Sequence, residues 1–543
     1  MTSLRNRHPQ FIYHSYQYRI DKGALQIEFE FELKPGIKFA PEIIIPGVTR
    51  AQLAGLDQEQ LDRLVFFVGL AEIPSYWKAA CSPEIVIKAG QLTQAELKFW
   101  WNLLLEGMGE FFYQNQIEFT QPGFLRWHFE ERSKSGPQTK SALQIIAQSI
   151  PRKTKPASAI KRLVPVGGGK DSALMLSLLD QANLDYGCLI LTTDTTFSQG
   201  FSGWGLADQE VDTPKSNYPK SNDPKSDNQK SRDQELDGGR LAETNQAGAA
   251  TNQASSSLPA AEAVAAASQA NQVIRVNRKI DSTLLRLNAK GYLNGHVPFS
   301  AYLSFLTWLI AYLWDYDQIL VGNERSANQG NIEYQSQTIN HQYSKSYQYE
   351  RSFRQYQAET ELDQANQINY FSFLRPLYEL QIAQIFSRYP RYHKLFTSCN
   401  RGQKQGVWCH QCPKCLFVYT ILYPFFDYQK LTTKIFRSDL FENKNLIPLA
   451  LDLAGAGELK PFECVGTFEE SLIAFYLAVK KISDQSAQEA EEALELPPVL
   501  AAINQQLLSQ AKNLPKRAEK LLSAWNKQHH LPSELEKLLK KQV

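Results

Sequence analysis

The fold of this chain can be predicted from a glycine-rich heptapeptide, Val166-Gly167-Gly168-Gly169-Lys170-Asp171-Ser172. A short apolar run precedes it at 163–166, and the run 173–179 that follows has a strongly helical composition. The glycines are therefore predicted to join a buried strand to a helix. Glycine lets the backbone approach an anion closely, and the N–H groups and dipole at a helix start attract that anion. The heptapeptide therefore indicates a phosphate-binding turn.

Three polar residues of this turn indicate what accompanies the phosphates. Ser172 can donate a further hydrogen bond, and Lys170 brings positive charge. Asp171 would repel a phosphate group, so its presence indicates a magnesium ion that bridges the phosphates. The alternative is an ordinary turn without a ligand, since glycine-rich turns are common in proteins.

The turn is neither a Walker loop nor a Gly-x-Gly-x-x-Gly motif. It resembles the pyrophosphate loop, Ser-Gly-Gly-x-Asp-Ser, of the N-type ATP pyrophosphatases, with matches at Gly168, Gly169, Asp171 and Ser172. Gly167 stands where that family usually has serine, which removes one hydroxyl donor. The resemblance implies that the chain binds ATP and Mg²⁺, cuts ATP between the α and β phosphates and leaves AMP on its substrate.

From residue 162 onward, strand and helix patterns alternate, which predicts an α/β fold with a doubly wound parallel sheet. Ligands of such sheets bind at the carboxyl ends of the strands. The predicted strands are 163–166, 188–192, 273–276, 319–321 and 371–374. Besides the glycine turn, the residues predicted to bind the nucleotide are Asp194, Asn323 and Arg375, whose guanidinium would clamp a phosphate or carboxylate.

Three regions are predicted along the chain. Residues 1–155 form an N-terminal α+β domain that opens with a β-hairpin, because apolar and acidic residues alternate over 25–33. Residues 156–430 form the sheet domain, and 431–543 form a mostly helical region. The stretch 205–272 is polar and repetitive, so it is predicted to be a disordered, dispensable insertion in the sheet domain.

Composition limits the classes of protein to be considered. The chain has 543 residues, 43% of them hydrophobic, with a formal net charge of +2 and seven cysteines. The charge gives no indication of a nucleic-acid partner, and an odd cysteine count argues against a secreted disulfide framework. The N-terminus has no apolar signal segment, and the longest apolar stretch, 301–314, is too short to span a bilayer. We expect a soluble cytoplasmic protein with a small-molecule substrate.

A second motif is formed by four cysteines late in the chain. Cys409, Cys412 and Cys415 share one tight turn, and Cys399 can supply a fourth thiolate. Four thiolates suit tetrahedral zinc, and an iron–sulfur cluster or four reduced thiols without a metal are the alternatives. The spacing resembles the zinc site of 7-cyano-7-deazaguanine synthase. In each case the role is expected to be structural.

Several stretches together resemble the MurL family of UDP-N-acetylmuramoyl-L-alanyl-L-glutamate epimerases of bacterial cell-wall synthesis. They are 75–83, 167–172, 340–345, 408–415 and 461–466. The resemblance implies that the terminal L-glutamate of a nucleotide-linked dipeptide becomes D-glutamate while ATP is converted to AMP and diphosphate. The alternatives are another pyrophosphate-loop adenylating enzyme, either RNA-thiolating or 7-deazaguanine-type, and an ATP-binding module without enzymatic activity.

Epimerisation requires groups that remove and return the Cα proton. We hypothesise that Cys81 and Cys464 face opposite sides of the glutamate Cα, as thiols do in cofactor-independent glutamate racemases. Lys78 would lower the pKa of Cys81 and make it the base, whereas Glu463 would make Cys464 the better acid. The competing hypothesis assigns these protons to His296 or His341.

Overall fold

The computed structural model describes residues 2–131, 160–194, 259–360, 368–402, 405–457, 459–489 and 495–543. The strands within them are β1 (Gln10–Asp21), β2 (Ala24–Leu33), β3 (Ile37–Phe39), β4 (Glu42–Pro46), β5 (Glu84–Leu92), β6 (Arg126–Glu131), β7 (Arg162–Pro165), β8 (Tyr186–Asp194), β9 (Gln272–Lys279), β10 (Gln318–Val321), β11 (Ile332–Tyr334), β12 (Gln337–Ile339) and β13 (Asn369–Ser372).

One α-helix precedes the strands within the described residues, and the others fall between and after them. They are α1 (Thr2–Arg7), α2 (Arg50–Ala54), α3 (Gln58–Trp77), α4 (Gln94–Gly107), α5 (Gly109–Gln114), α6 (Lys170–Gln181), α7 (Ala260–Ala266), α8 (Ser282–Ala289), α9 (Phe299–Leu313), α10 (Tyr347–Glu359), α11 (Glu379–Phe386), α12 (Pro413–Leu422), α13 (Ile447–Leu453), α14 (Phe468–Glu489), α15 (Pro498–Gln506), α16 (Leu514–Leu522) and α17 (Ser533–Lys540). None of these described helices combines the length and apolar character needed to cross a membrane.

The fold is α/β and is built on one large mixed sheet of eleven strands. The strand order is β13-β10-β7-β8-β9-β4-β2-β1-β5-β6, with β3 paired to β2. The five strands predicted from the sequence, β7 to β10 and β13, are all present and parallel. The sheet as a whole is not purely parallel, because β4 pairs antiparallel with β9 and joins the N-terminal strands to it.

Both faces of the parallel strands are buried, which explains why these strands are continuous apolar runs in the sequence. Successive side chains of a strand point to opposite faces. Leu163 of β7 and Ile319 of β10 therefore pack in the core that contains α3 and α9. Their neighbours Val164 and Leu320 pack in a second core with α6, α11 and α12. The two cores fix the orientation of the loops at the ends of the strands.

The predicted hairpin is confirmed, because β1 and β2 pair antiparallel and alternate side chains of β2 are buried. The hairpin was expected to lie in a separate N-terminal domain, but the structure shows no such separation within the described residues. The N-terminal strands continue the same sheet, and the described residues belong to one compact unit. The predicted boundary near residue 155 therefore does not coincide with a break in the sheet.

The predicted insertion is only partly covered by the structure. Residues 205–258 lie outside the described residues, whereas residues 260–266 form helix α7, with Ala260 and Val264 fully buried. The prediction of disorder up to residue 272 is therefore wrong at this end. Alanine and valine side chains form the buried face of α7. The prediction missed them because the stretch 205–272 was judged by its overall polar composition.

Candidate active site

The glycine turn follows β7, the strand at which the order of the parallel strands reverses: β8 and β9 lie on one side of it, and β10 and β13 lie on the other. Strand β7 has β8 on one side and β10 on the other, and loops that leave such a strand border a crevice at the carboxyl edge. Gly168 has a φ of +80°, and a Cβ at this position would lie 2.4 Å from the backbone nitrogen of Ala261. Gly169 then caps the N-terminus of α6. Only glycine fits at position 168, because both its φ and the closeness of α7 exclude a side chain.

The other predicted loop residues are used in different ways. A Cβ at Gly167 would meet nothing within 4 Å, so the family's serine has space there and its hydroxyl is simply missing. Ser172 donates its hydroxyl to the carbonyl oxygen of Gly169 at 3.0 Å and thereby stabilises the turn. Asn323 lies two residues beyond the end of β10 at the same edge, and Asp194 is the last residue of β8, with a side chain outside the described part of the structure.

Three carboxylates converge beside the turn from three adjacent parallel strands. Asp171 follows β7, Glu324 follows β10 and Glu379 follows β13, and their oxygen atoms lie within 4.8 Å of one another. Burial and the charges of Glu379 and Asp171 raise the pKa of Glu324 to about 8. Carboxylate oxygens are the ligands that Mg²⁺ prefers, and a divalent cation would relieve this repulsion. The donor set therefore fits a magnesium ion.

Lys170 differs from its predicted role. Its side chain is fully buried, and its ammonium group forms ion pairs with Asp171 and Glu379. Lys170 is therefore not the free cation that the sequence predicted for phosphate binding. Its charge instead holds two of the three carboxylates together.

Arg375 also differs from its predicted role as a clamp. It is fully buried, pairs with Glu350 at 3.2 Å and donates to the carbonyl oxygens of Glu324 and Lys345, both at 2.6 Å. All three guanidinium nitrogens are thus bonded within the protein, so the clamp prediction is wrong. Arg375 instead fixes the backbone of Glu324 and Lys345.

Arg375→Ala is expected to destabilise the fold by about 3–5 kcal/mol, because it leaves the buried Glu350 carboxylate without its partner. Chemical denaturation of the purified variant measures this loss. Arg391→Ala is the control, since Arg391 is half exposed in its 2.9 Å pair with Asp180 and its removal is expected to cost no more than about 1 kcal/mol. Equal stabilities of the two variants would contradict the structural role of Arg375.

Cys464 lies beside two basic side chains. Its Sγ is 3.1 Å from Nζ of Lys345 and 4.0 Å from Nε2 of His341. Burial alone would raise the pKa of Cys464, but Lys345 and His341 outweigh burial and hold this pKa well below its usual value. The sequence predicted the reverse, through Glu463, but the Glu463 carboxylate accepts from the backbone N–H of Lys414 and its own pKa is raised to about 7 by burial. Lys345 and His341 therefore favour the thiolate form of Cys464, which is the opposite of the predicted role as the better acid.

His341 and His296 share one carboxylate. Nδ1 of His341 is hydrogen-bonded to Oε2 of Glu110, and Nδ1 of His296 lies 3.6 Å from the same oxygen. The two ring centroids are 4.2 Å apart. Within the described residues, Nε2 of His296 is buried and has no hydrogen-bond partner.

The two imidazoles carry opposite pKa shifts. Burial would lower the pKa of His341, but Cys464 and Glu110 raise it to about 9. Burial and the positive charges of His341, Lys78 and Lys345 lower the pKa of His296 well below its usual value. One ring is therefore protonated and its neighbour neutral at pH 7. Glu110 and the two histidines also offer ligand atoms that lie within 4.8 Å of one another.

Cys81 and Lys78 do not form the predicted pair. Cys81 is fully buried in the N-terminal core, where its Sγ lies 3.1 Å from Arg5, and burial raises its pKa to about 12. Lys78 donates to the carbonyl oxygen of Gly295 at 2.9 Å, and burial together with Arg278 lowers its pKa to about 8. The prediction that Lys78 makes Cys81 a base is therefore wrong, and Lys78 lies instead near His296.

Two lysines connect the thiolate with the three carboxylates. The charge of Lys345 acts on Cys464, Glu324 and Asp171. Lys414 bonds to the carbonyl oxygen of Cys464, and its Nζ is 3.8 Å from Glu379. Cys464, which could act on a substrate carbon, is thus connected through Lys345 and Lys414 to the carboxylates beside the glycine turn.

The four predicted metal ligands are brought together. The Sγ atoms of Cys399, Cys409, Cys412 and Cys415 lie within 4.8 Å of one another, and none of the four forms a disulfide. Backbone N–H groups point at two of these sulfurs, for example from Gly402 to Cys399 at 3.2 Å and from Cys415 to Cys412 at 3.4 Å. Such donors stabilise thiolates, so the arrangement fits tetrahedral zinc.

Comparison with known proteins gives consistent matches. The family model described as the MurL N-terminal domain matches residues 2–206 and 242–373, and the MurL C-terminal domain matches 395–510. A protein of Micromonospora sp. named UDP-N-acetyl-alpha-D-muramoyl-L-alanyl-L-glutamate epimerase is 28% identical over 87% of each chain. A protein of the same name from Xanthomonas oryzae pv. oryzae is 27% identical over 83% of this chain and 82% of its own. A third, from Salinispora tropica, is 38% identical over 38% of this chain and 45% of its own. No solved structure matches.

Proposed function

The chain belongs to the MurL family, and from this premise we propose that it epimerises the terminal L-glutamate of UDP-N-acetyl-α-D-muramoyl-L-alanyl-L-glutamate at the expense of ATP. The observation that carries the ATP-dependent part is the position of Cys464. Lys345 contacts its sulfur, and the charge of the same lysine acts on two of the three carboxylates beside the glycine turn. The sulfur and the two imidazoles therefore lie near the carboxyl edge of the sheet. This proximity supports carboxylate activation and Cα chemistry in one site.

Activation is needed because a Cα–H bond beside a carboxylate is a very weak acid. Removing that proton would place a carbanion next to a negative charge. Transfer of AMP to the α-carboxylate makes a neutral acyl group, which can accept the negative charge as an enolate. We propose that the five parallel strands and the glycine turn form an N-type ATP pyrophosphatase core that catalyses this transfer.

The chain's own residues have separate parts in binding ATP. The backbone of Gly168 and Gly169 and the N-terminus of α6 would face the phosphates. Asp171, Glu324 and Glu379 would hold Mg²⁺, which neutralises phosphate charge when it is bound. Lys170 keeps two of these carboxylates in place through its buried ion pairs.

The imidazole pair supplies proton transfer at Cα. When neighbouring groups have pKa values pushed apart, their acid and base roles follow. We assign the neutral His296 as the base, through its unpartnered Nε2, and the protonated His341 as the acid that returns a proton. Glu110 orients both rings through their Nδ1 atoms. This assignment replaces the hypothesis of two cysteines.

Turnover in deuterium oxide tests the proposed function. The protein with ATP, Mg²⁺ and the UDP-dipeptide is expected to release AMP and diphosphate and to place deuterium at Cα of the D-glutamyl product. His296→Asn is expected to keep substrate-dependent diphosphate release and to lose deuterium incorporation by roughly 10²–10⁴-fold, the usual effect of a general base. Absence of diphosphate release with this substrate, or ADP as the product, would contradict the proposal.

A further inference from the structure

We propose that Cys464 is a nucleophile that carries the activated glutamyl group as a thioester between adenylation and product release. This inference rests on the proposed function and concerns the fate of the acyl group after activation. It assigns a covalent step to a side chain that the proton transfers described above do not need.

The contacts of Cys464 match those of an activated nucleophile. A nucleophile, a base within reach and a third group that orients the base form the recurring arrangement of acyl-transfer enzymes. Here the Sγ of Cys464 faces Nε2 of His341 at 4.0 Å, and Glu110 holds the other ring nitrogen of His341. Lys345, with its Nζ 3.1 Å from Sγ, adds a charge that stabilises the thiolate.

The backbone holds this thiol in a fixed position and leaves it partly accessible. Lys414 bonds to the carbonyl oxygen of Cys464, and Gln342 donates to the carbonyl oxygen of Val465 at 3.1 Å. Asn331 holds the carbonyl oxygen of Pro461 at 3.0 Å. The Cys464 side chain itself is only partly buried. These bonds hold the segment on both sides of the thiol, so Sγ is presented to a substrate at a defined place.

Chemistry favours a nucleophilic over a basic role for this thiolate. The charges of Lys345 and His341 lower both the basicity and the nucleophilicity of the thiolate, but not to the same extent. Nucleophilicity falls much less steeply than basicity as the pKa of a thiol drops, with a slope of about 0.4–0.5. The charges of Lys345 and His341 therefore reduce the use of Cys464 for proton abstraction and leave it competent to attack an acyl group.

The first step makes the thioester. The Cys464 thiolate attacks the carbonyl carbon of the acyl adenylate, a C–S bond forms, and the C–O bond to AMP breaks with its electron pair leaving on AMP. Neutral His296 then takes the Cα proton, and the charge moves to the carbonyl oxygen. A thioester carbonyl accepts this charge well, and Lys345 lies beside the sulfur to stabilise it.

The remaining steps restore the starting state. His341 returns a proton to Cα and becomes neutral. Water attacks the thioester carbonyl while His341 takes one of its protons, the C–S bond breaks, and the electron pair returns to sulfur as thiolate. The product carboxylic acid and His296 each release one proton to solvent. The sum is hydrolysis of an acyl adenylate to a carboxylate and AMP, and Cα is inverted when His341 delivers its proton to the face opposite to the one from which His296 removed it.

Acid quenching during turnover tests the thioester directly. The full-length protein is mixed with ATP, Mg²⁺ and the UDP-dipeptide, quenched in acid within one turnover and digested. The peptide that contains Cys464 is expected to carry the mass of the acyl group, and hydroxylamine is expected to remove it as a hydroxamate. Cys464→Ala is expected to release diphosphate only in the first turnover, because the adenylate then lacks its acceptor, and to lose epimerisation by about 10³-fold or more.

Matched variants keep the test informative. Cys188→Ala removes another thiol, which is buried in β8, and is expected to form the adduct normally. Cys464→Ser retains the size of the side chain and is expected to accumulate an ester that hydroxylamine removes more slowly. Epimerisation by Cys464→Ala at the wild-type rate, or steady product formation without any adduct on Cys464, would overturn the thioester while leaving the epimerase function intact. Wild-type protein that releases no diphosphate would instead refute the function itself.

Discussion

Protein purified without a chelator is expected to contain one zinc ion per chain, bound by Cys399, Cys409, Cys412 and Cys415. The four sulfurs converge within 4.8 Å, and backbone N–H groups already point at two of them. Structural zinc sites of this kind contribute on the order of 10 kcal/mol to folding, so this metal is expected to have the largest effect on stability in the molecule. Elemental analysis together with thermal unfolding measures both quantities.

A zinc ion in the cysteine cluster would also position the active site. Cys412 caps the N-terminus of α12, and the first turn of that helix contains Lys414, which bonds to Glu463 and to the carbonyl oxygen of Cys464. Cys412→Ser is therefore expected to lose the metal, to unfold at a much lower temperature and to lose epimerisation. Cys188→Ala, which removes a buried thiol outside the cluster, is expected to keep its zinc. A metal-free preparation of the wild type with full stability and activity would show that the four cysteines are only packing residues.

Asp171→Asn is expected to abolish diphosphate release, with a loss of roughly 10³-fold or more. The substitution removes the charge of one of three carboxylates proposed to hold Mg²⁺ and retains the size of the side chain. It also removes one of the two partners of the buried Lys170. Initial rates with the UDP-dipeptide at several Mg²⁺ concentrations measure the effect, and a weaker dependence on Mg²⁺ is expected to accompany the lower rate.

A control for this prediction lies at the opposite edge of the sheet. Asp315 precedes β10, whereas Glu324 follows it, and the exposed Asp315 side chain lies 3.6 Å from Lys161. Asp315→Asn is expected to leave both stability and diphosphate release close to the wild type. If Asp171→Asn turned over normally, or if both variants lost activity equally, the magnesium site would have to be placed elsewhere.

Features that depend on short stretches of chain were predictable. The strand, glycine turn and helix around residue 168 follow from an apolar run, three glycines and a helical composition, and the structure confirms them. The alternation in β2 likewise predicted its hairpin with β1. The cysteine spacing in 409–415 predicted a cluster, and all four thiols converge. In each case neighbouring residues along the chain supply the information.

The chemistry around Cys464 was decided by the tertiary structure. Glu110 lies on α5 and was not predicted, because nothing in its local sequence distinguishes it from any other helical glutamate. Packing brings it to His341, which is 231 positions later in the chain, and places Lys345 against Cys464 across 119 positions.

The tertiary structure also decided which charges are free and which are paired. Arg375 and Lys170 both looked like phosphate ligands in the sequence, but both are buried against carboxylates. Cys81 was predicted to be the base and Cys464 the acid, yet burial raises the pKa of Cys81 to about 12, while Lys345 and His341 hold the pKa of Cys464 well below its usual value. The sequence determined the strands, the turns and the cysteine spacing because these depend on periodicity and short separations. Ionisation depends on burial and on distances through space, which only the packed fold sets.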